Sequence, residues 1–220
     1  MLSREAKATF YLVASPLMKI NAWFYRHFRA PRSGRVRVHV GPGRGNYLPG
    51  WFNVDANMFT GKCDVWANLA DGLPFRDESA DAIYSHHVIE HLPDLDFHFA
   101  EMFRVLKPGG VFRVGGPNGD MAMRKYAEGD TDWFSDFPVK RASVGGRFEN
   151  FVYCRREHLT ILTPSFLIEL ATVAGFVDLS IVQPKSETRY PIAFDTAVLS
   201  LEWESTPQAP HTLLIEGRKS

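Results

Sequence analysis

Val36, Val38 and Val40 alternate with Arg35, Arg37 and His39, and the alternation then breaks into Gly41, Gly43 and Gly45. Apolar residues at every second position predict a half-buried strand, and the glycines predict a tight turn where the backbone meets a ligand closely. A second short apolar run, Trp51 to Val54, ends in Asp55. Between the two runs, Pro49-Gly50 would stop a helix, so the pattern allows at most one helical turn after the glycines.

The rest of the chain alternates between the two periods. Ser15-Pro16 reads as a helix start, and Leu17, Ile20, Phe24 and Phe28 recur at helical spacing until Pro31. Cys63 to Leu69 has strand character and closes at Asn68, and Ala82 to Ser85 is a further strand. Asp94 to Asp96 opens a helix with Phe97, Phe99, Met102, Phe103 and Leu106 on its apolar face, stopped by Lys107-Pro108-Gly109-Gly110. A strand over Val111 to Val114 and a helix over 121–127 follow. Residues 128–157 read as irregular and rich in aromatics and arginines, a candidate lid. Thr163-Pro164 caps a helix through Ala174, and Phe176 to Val182 and His211 to Gly217 read as two strands joined by the excursion 183–210. Strands alternating with helices predict an α/β domain with a largely parallel sheet.

Composition adds little to this; charge adds more. The 220 residues are 45% hydrophobic and 23% charged, as in a globular domain. The net charge is zero, yet residues 1–54 hold nine Lys/Arg and one acidic residue, Glu5. This predicts a basic amphipathic arm over 1–34, packed on an acidic domain over 35–220 or laid on a membrane surface. No nucleic-acid partner is expected. Cys63 and Cys154 lack metal spacing and read as reduced thiols of a cytoplasmic protein. Phe10 to Met18 resembles a signal-peptide core behind Arg4 and Lys7, but no cleavage site follows it, so secretion is not expected.

The glycine turn followed by Asp55 predicts a nucleoside pocket, because a carboxylate at a strand tip can accept hydrogen bonds from two ribose hydroxyls. It is not the dinucleotide fingerprint. Residue 46 is Asn rather than Gly, and Asp55 follows ten residues after Gly45 where that pattern wants about 20.

The full order is VHVGPGRG, then NVD, then NLADGLPFRDESADAIYSHHVIEHL, then FRVLKPGGVFRVGGP. It resembles the class I S-adenosylmethionine-dependent methyltransferases, and within them the type-11 group. The resemblance is strong over about Val36 to Asp120 and weaker beyond. It implies a doubly wound, mostly parallel, Rossmann-like seven-stranded sheet with a C-terminal antiparallel hairpin, and S-adenosylmethionine as cofactor. It places Gly41, Pro42, Gly43 and Gly45 under the methionine part and ribose, Asp55 on the ribose diol and Ala56 beside the adenine. Asn68 and Leu69 would meet the adenine edge, with Ser85 and His86 on the far side. Many relatives carry Asp where Asn68 stands. Arg44 is a candidate charge for the cofactor's carboxylate.

Methyl transfer from a sulfonium is an in-line displacement that depends mainly on alignment. An oxygen or nitrogen acceptor can also need a base, for which His86, His87 and Asp120 are the candidates and His91 and His158 the weaker ones. The acceptor is expected to be a small molecule, lipid or glycan, anionic if Arg141, Arg147, Arg155 and Arg156 face it. Two other readings remain open. One is a methyltransferase-like binding protein without turnover. The other is a zinc hydrolase built on His87-x-x-Glu90-His91, for which the sequence offers no third ligand; no metal site is assigned.

Overall fold

The computed structural model of the chain describes residues 4–57, 61–204 and 206–220, with side chains from Thr9 onward. The elements are α1 (Arg4–Phe24), β1 (Arg37–Val40), β2 (Phe52–Asp55), β3 (Val65–Trp66), β4 (Ala80–His86), α2 (Leu95–Val105), β5 (Leu106–Pro117), α3 (Gly119–Glu128), α4 (Val144–Tyr153), α5 (Pro164–Val173), β6 (Phe176–Val182), α6 (Thr196–Leu199) and β7 (Thr212–Lys219). The strands form one seven-stranded sheet in the order β3-β2-β1-β4-β5-β7-β6. β1 runs parallel to β2 and β4, and β4 parallel to β5. β7 alone runs antiparallel, against β5 and β6. This is the Rossmann-like, mostly parallel sheet with a C-terminal antiparallel pair.

The sheet is buried on both faces, so its strands alternate between two cores rather than between core and water. Ile83 packs with Phe99, Met102, Phe112, Leu167 and Leu170, under α2 and α5. Its neighbours Ala82 and Tyr84 pack with Leu48, Trp51 and Phe194 on the other face. That second face is closed by the excursion between β6 and β7, not by a long helix. Arg113 on β5, fully buried, anchors the excursion by donating to both carboxylate oxygens of Glu202, to Glu216 and to the Glu187 carbonyl.

Local chemistry sets the helix starts. Asp94, Asn118, Ser143, Thr163 and Asp195 each accept a backbone N–H in the first turn of the helix they precede. Each such cap contributes about 1 kcal/mol. Asn53 does a comparable job for the loop that replaces a helix after β1. Fully buried, it accepts from Leu48 N and donates to the Leu48 and Trp51 carbonyls. Those loop groups are thereby satisfied without helical hydrogen bonds. The expectation of at most one helical turn there holds.

Several boundaries differ from the sequence reading. Ser15 is not a cap: α1 begins at Arg4 and carries Pro16 inside it. Good helix formers precede Pro16, and burial of Ala14 and Met18 against the domain offsets the lost hydrogen bond. Pro16 lacks the N–H that the Leu12 carbonyl would accept, and Leu12 is on the exposed side. The strand expected over Cys63 to Leu69 shrinks to Val65–Trp66, after which Asn68 caps a short 3₁₀ turn at Leu69–Asp71. Lys107 to Gly110 does not break the chain but lies inside β5 at a register shift. Residues 128–157, read as irregular, contain α4, because Ser143 supplies a cap.

The N-terminal segment packs on its own domain. Asn21 donates to the Trp66 carbonyl, Lys19 pairs with Asp71, and Ala30 belongs to the main core. Its outer side stays open, with Leu12, Val13, Leu17, Ile20, Trp23 and Phe28 exposed.

Candidate active site

The glycine turn sits where β1 ends, beside the end of β2. Gly41 has φ +67°, and a Cβ there would stand 2.4 Å from Cγ2 of Val88. Glycine is therefore required at 41 on two counts, backbone conformation and contact with the segment after β4. Gly43 and Gly45 also have positive φ, but a Cβ on either would meet nothing within 4 Å. Their backbone borders open space. Asp55 closes one side of it. Its Oδ2 accepts from Gly43 N at 2.9 Å and its Oδ1 from Asn57 N at 2.8 Å. Each oxygen keeps a second acceptor site, which suits a vicinal diol. Ser85 on β4 is fully buried, and its hydroxyl has no hydrogen-bond partner. A bare backbone turn, a carboxylate with spare acceptor capacity and an unpaired buried hydroxyl together fit a nucleoside.

The adenine-side candidates lie on the adjoining edge. Ala56 holds its carbonyl to Trp66 Nε1, and Leu69 is buried. Asn68 Oδ1 already accepts from Ala70 N, so the oxygen expected to meet adenine has one acceptor site committed to the 3₁₀ cap. Arg44 is exposed at the tip of the turn, and Pro42 is buried.

A cavity of about 470 Å³ opens at the C-terminal edge of the sheet, beyond the end of β4. Its wall is largely aromatic, with Trp133, Phe134, Phe137, Phe151 and Trp203, and its polar groups include His87, His158 and His211. The size and lining are those of a small-molecule site. Trp133 donates to the Ala209 carbonyl and stacks on His211 at 4.2 Å. The 128–157 segment is thus fastened to the excursion rather than lying free.

The catalytic candidates separate. His87 lines the cavity; its Nε2 is 3.0 Å from Thr212 Oγ1 and its Nδ1 3.3 Å from Glu90 Oε1. Its φ of +56° is rare for a side chain of this size and swings the ring out of the strand direction. His86 does not line the cavity. It stacks under Tyr84, and burial, followed by the charges of His87 and Arg113, pushes its pKa down to about 2. At neutral pH it is an uncharged and very weak base. Asp120 is exposed in the first turn of α3, also away from the cavity wall.

The arginines expected to face an acceptor do not line the cavity either. Arg147 donates to the Arg141 and Phe134 carbonyls, and Arg155 to the Pro138 carbonyl. They fold the segment onto itself.

The zinc-hydrolase geometry fails, because His87 sits in a bend and only Ile89–His91 form a 3₁₀ turn. No helix carries the two histidines at the required four-residue spacing. The structure brings His158, one of the weaker base candidates, beside Glu90, a pairing that no local sequence signal announces. Leu159 N donates to the Glu90 carbonyl at 2.8 Å and ties the two segments together. Glu204 and His211 were not among the candidates. Glu204 accepts from the backbone N–H groups of Thr206, His211 and Thr212, which fixes His211 against Trp133. Neither belongs to a motif, so only the fold reveals them.

Comparison with known proteins agrees with this architecture. Residues 38–114 match the methyltransferase domain of the type-11 family. The ubiquinone/menaquinone biosynthesis C-methyltransferase of Methylobacterium nodulans is 30% identical over 126 residues, covering 54% of this chain and 48% of that protein. The sterol 24-C-methyltransferase of Aspergillus fumigatus is 52% identical over 42 residues, 19% of this chain and 11% of that one. The chain thus spans less than half the length of either relative. An S-adenosylmethionine-dependent methyltransferase of Thermotoga maritima shares the fold at a TM-score of 0.55 and 19% identity, over 99% of this chain and 96% of that one. Over residues 38–114 by sequence, and over its whole sheet by topology, the chain is thus similar to the class I S-adenosylmethionine-dependent methyltransferases.

Proposed function

We propose that the protein transfers the methyl group of S-adenosylmethionine to an oxygen or nitrogen of a small acceptor seated in the aromatic cavity. The observation that carries this reading is the placement of Asp55, bonded to Gly43 N and with acceptor capacity to spare, beside the open space that the glycine turn borders, with the cavity beyond the end of the neighbouring β4. The cofactor supplies an activated methyl group on a sulfonium. The protein's part is alignment and exclusion of water. Asp55 would hold the ribose diol, the Gly41–Gly45 backbone would pass under the methionine part, and Ala56, Asn68 and Leu69 would border the adenine. Ser85 and His86 would close the far side. His87, alone of the three catalytic candidates, lines the cavity and would take the acceptor's proton, with Glu90 Oε1 3.3 Å from its Nδ1.

The wall of Trp133, Phe134, Phe137, Phe151 and Trp203 supports an acceptor with a flat apolar body. It gives no support to an anion held by arginines. The test is incubation with methyl-labelled cofactor and a small-molecule extract, followed by mass spectrometry. One or more aromatic metabolites should gain a labelled methyl, and His87→Ala should slow that gain about 10²–10⁴-fold. Labelling only of arginine-binding anions would reject the acceptor assignment.

The same reading extends to where the protein works. No disulfide joins Cys63 to Cys154, which fits a reducing compartment such as the cytoplasm. Among the described residues no helix is long and apolar enough to cross a membrane. The exposed stripe of Leu12, Leu17, Ile20, Trp23 and Phe28 beside basic residues supports docking of α1 on an anionic membrane surface. The chain should sediment with phosphatidylglycerol vesicles. Leu17→Glu with Ile20→Glu should weaken that about tenfold or more, since two buried apolar side chains contribute about 1.5–3 kcal/mol each. Equal sedimentation of variant and wild type would rule the surface out.

A further inference from the structure

We propose that Glu90, His91 and His158 bind one divalent first-row transition ion in the wall of the acceptor cavity. One ligand atom from each lies within 4.8 Å of the others. Such ions hold nitrogen and oxygen ligands at about 2.0–2.2 Å, so ligand atoms end about 3–4 Å apart and the cluster needs only small side-chain rotations to close.

Two independent features point to an ion rather than to ordinary packing. The first is the carboxylate. Glu90 is 1% exposed, and neither of its oxygens has a partner in hydrogen-bonding geometry. His87 Nδ1 and His91 Nε2 stand 3.3 and 3.9 Å from Oε1. A buried carboxylate without hydrogen bonds is costly unless a cation compensates it. The second feature is the pair of imidazole orientations. His91 Nδ1 is 2.9 Å from the Glu157 carbonyl, and His158 Nδ1 is 3.1 Å from the Val152 carbonyl. A carbonyl only accepts, so both rings carry their proton on Nδ1 and present the Nε2 lone pair. Carbonyls that accept from the far nitrogen of a ligating histidine fix ring and tautomer in this way in metal sites. Gly116 leaves room for the carboxylate, since a Cβ there would stand 2.7 Å from Glu90 Oε2.

Two imidazoles and one carboxylate suit zinc, cobalt, manganese or ferrous iron, and are a poor set for calcium or magnesium. The position says what the ion would do. His158 lines the cavity, as does His87 next to Glu90. An ion there would draw electron density from an acceptor hydroxyl and ease loss of its proton to His87. The acceptor oxygen then forms the new bond to carbon while the sulfur–methyl bond breaks, its electron pair going to sulfur and converting the sulfonium to a thioether. This role rests on the methyl-transfer reading; the binding site itself does not.

The test uses the whole chain, stripped with chelator and titrated with Co²⁺ under visible absorption. A d–d band saturating at one equivalent and displaced by Zn²⁺ is expected. Glu90→Gln and His158→Ala should each weaken Co²⁺ binding at least about tenfold. Cys63→Ser with Cys154→Ser should leave it unchanged, which excludes the thiols as ligands. Both site variants should keep the wild-type shift in melting temperature with S-adenosylhomocysteine, which shows that they fold. No band in the wild-type chain, or equal Co²⁺ affinity in folded variants, would overturn the site. Cobalt binding without any S-adenosylhomocysteine shift would leave the site standing and sink the cofactor reading instead.

Discussion

Arg113→Met is expected to lower the free energy of unfolding by about 3–5 kcal/mol, read by urea denaturation. Arg113, Glu202 and Glu216 are all fully buried. The guanidinium is matched by two carboxylates, so removing it leaves two uncompensated charges rather than one broken contact. Domains of this kind have about 5–15 kcal/mol in hand, so the loss is a large fraction of the whole. Replacing all three by apolar residues should restore only part of it. Glu216 also accepts from Thr188 Oγ1 and Arg189 N, and Glu202 from Lys185 N, so those groups would lose their partners. The consequence reaches the cavity. The clamped excursion carries Trp203 and leads to Thr206 and His211 in the cavity wall. A variant that loses no stability would show that the buried cluster does not hold the excursion.

Asp55→Ala is expected to weaken S-adenosylhomocysteine binding roughly 100-fold or more. Two hydrogen bonds from a ribose diol to a carboxylate contribute about 1.5–3 kcal/mol each. The substitution also frees Gly43 N and Asn57 N, which loosens the turn itself. Asp55→Asn separates the two effects. Its one carboxamide oxygen can keep one of those backbone bonds, while its NH₂ group faces the other N–H as donor against donor. It should therefore cost less stability than alanine yet still bind poorly. If asparagine bound as tightly as aspartate, charge would not matter at this position.

The sequence made the left half of the sheet legible because its signals are local. Val36, Val38 and Val40 alternate, the glycines follow at once, and Asp55 lies a few residues on. Asp94 and Thr163 announce helices by caps that act within one turn. The same local rule misled at Ser15-Pro16. There the capping chemistry was present, but burial of Ala14 and Met18 favoured running the helix through the proline. Interior proline costs about 3 kcal/mol, which two buried side chains can offset. Ser143 carried a cap signal as well, and the many aromatics and arginines around it drew attention to the segment's composition instead. The rest of the site was not legible, because it depends on contacts between distant segments. Nothing local to His158 shows that Leu159 bonds to Glu90, or that the excursion returns His211 to Trp133. Conversely, His86 looked catalytic from its place at a strand end. Strand alternation turns it toward Tyr84 and away from the cavity.

The decisive measurement for the nucleoside pocket at Asp55 is isothermal titration of the wild-type chain with S-adenosylhomocysteine. Saturable one-site binding is expected, reduced at least about 100-fold by Asp55→Ala. Absence of binding heat together with an unchanged melting temperature, or full affinity in the alanine variant, would contradict it.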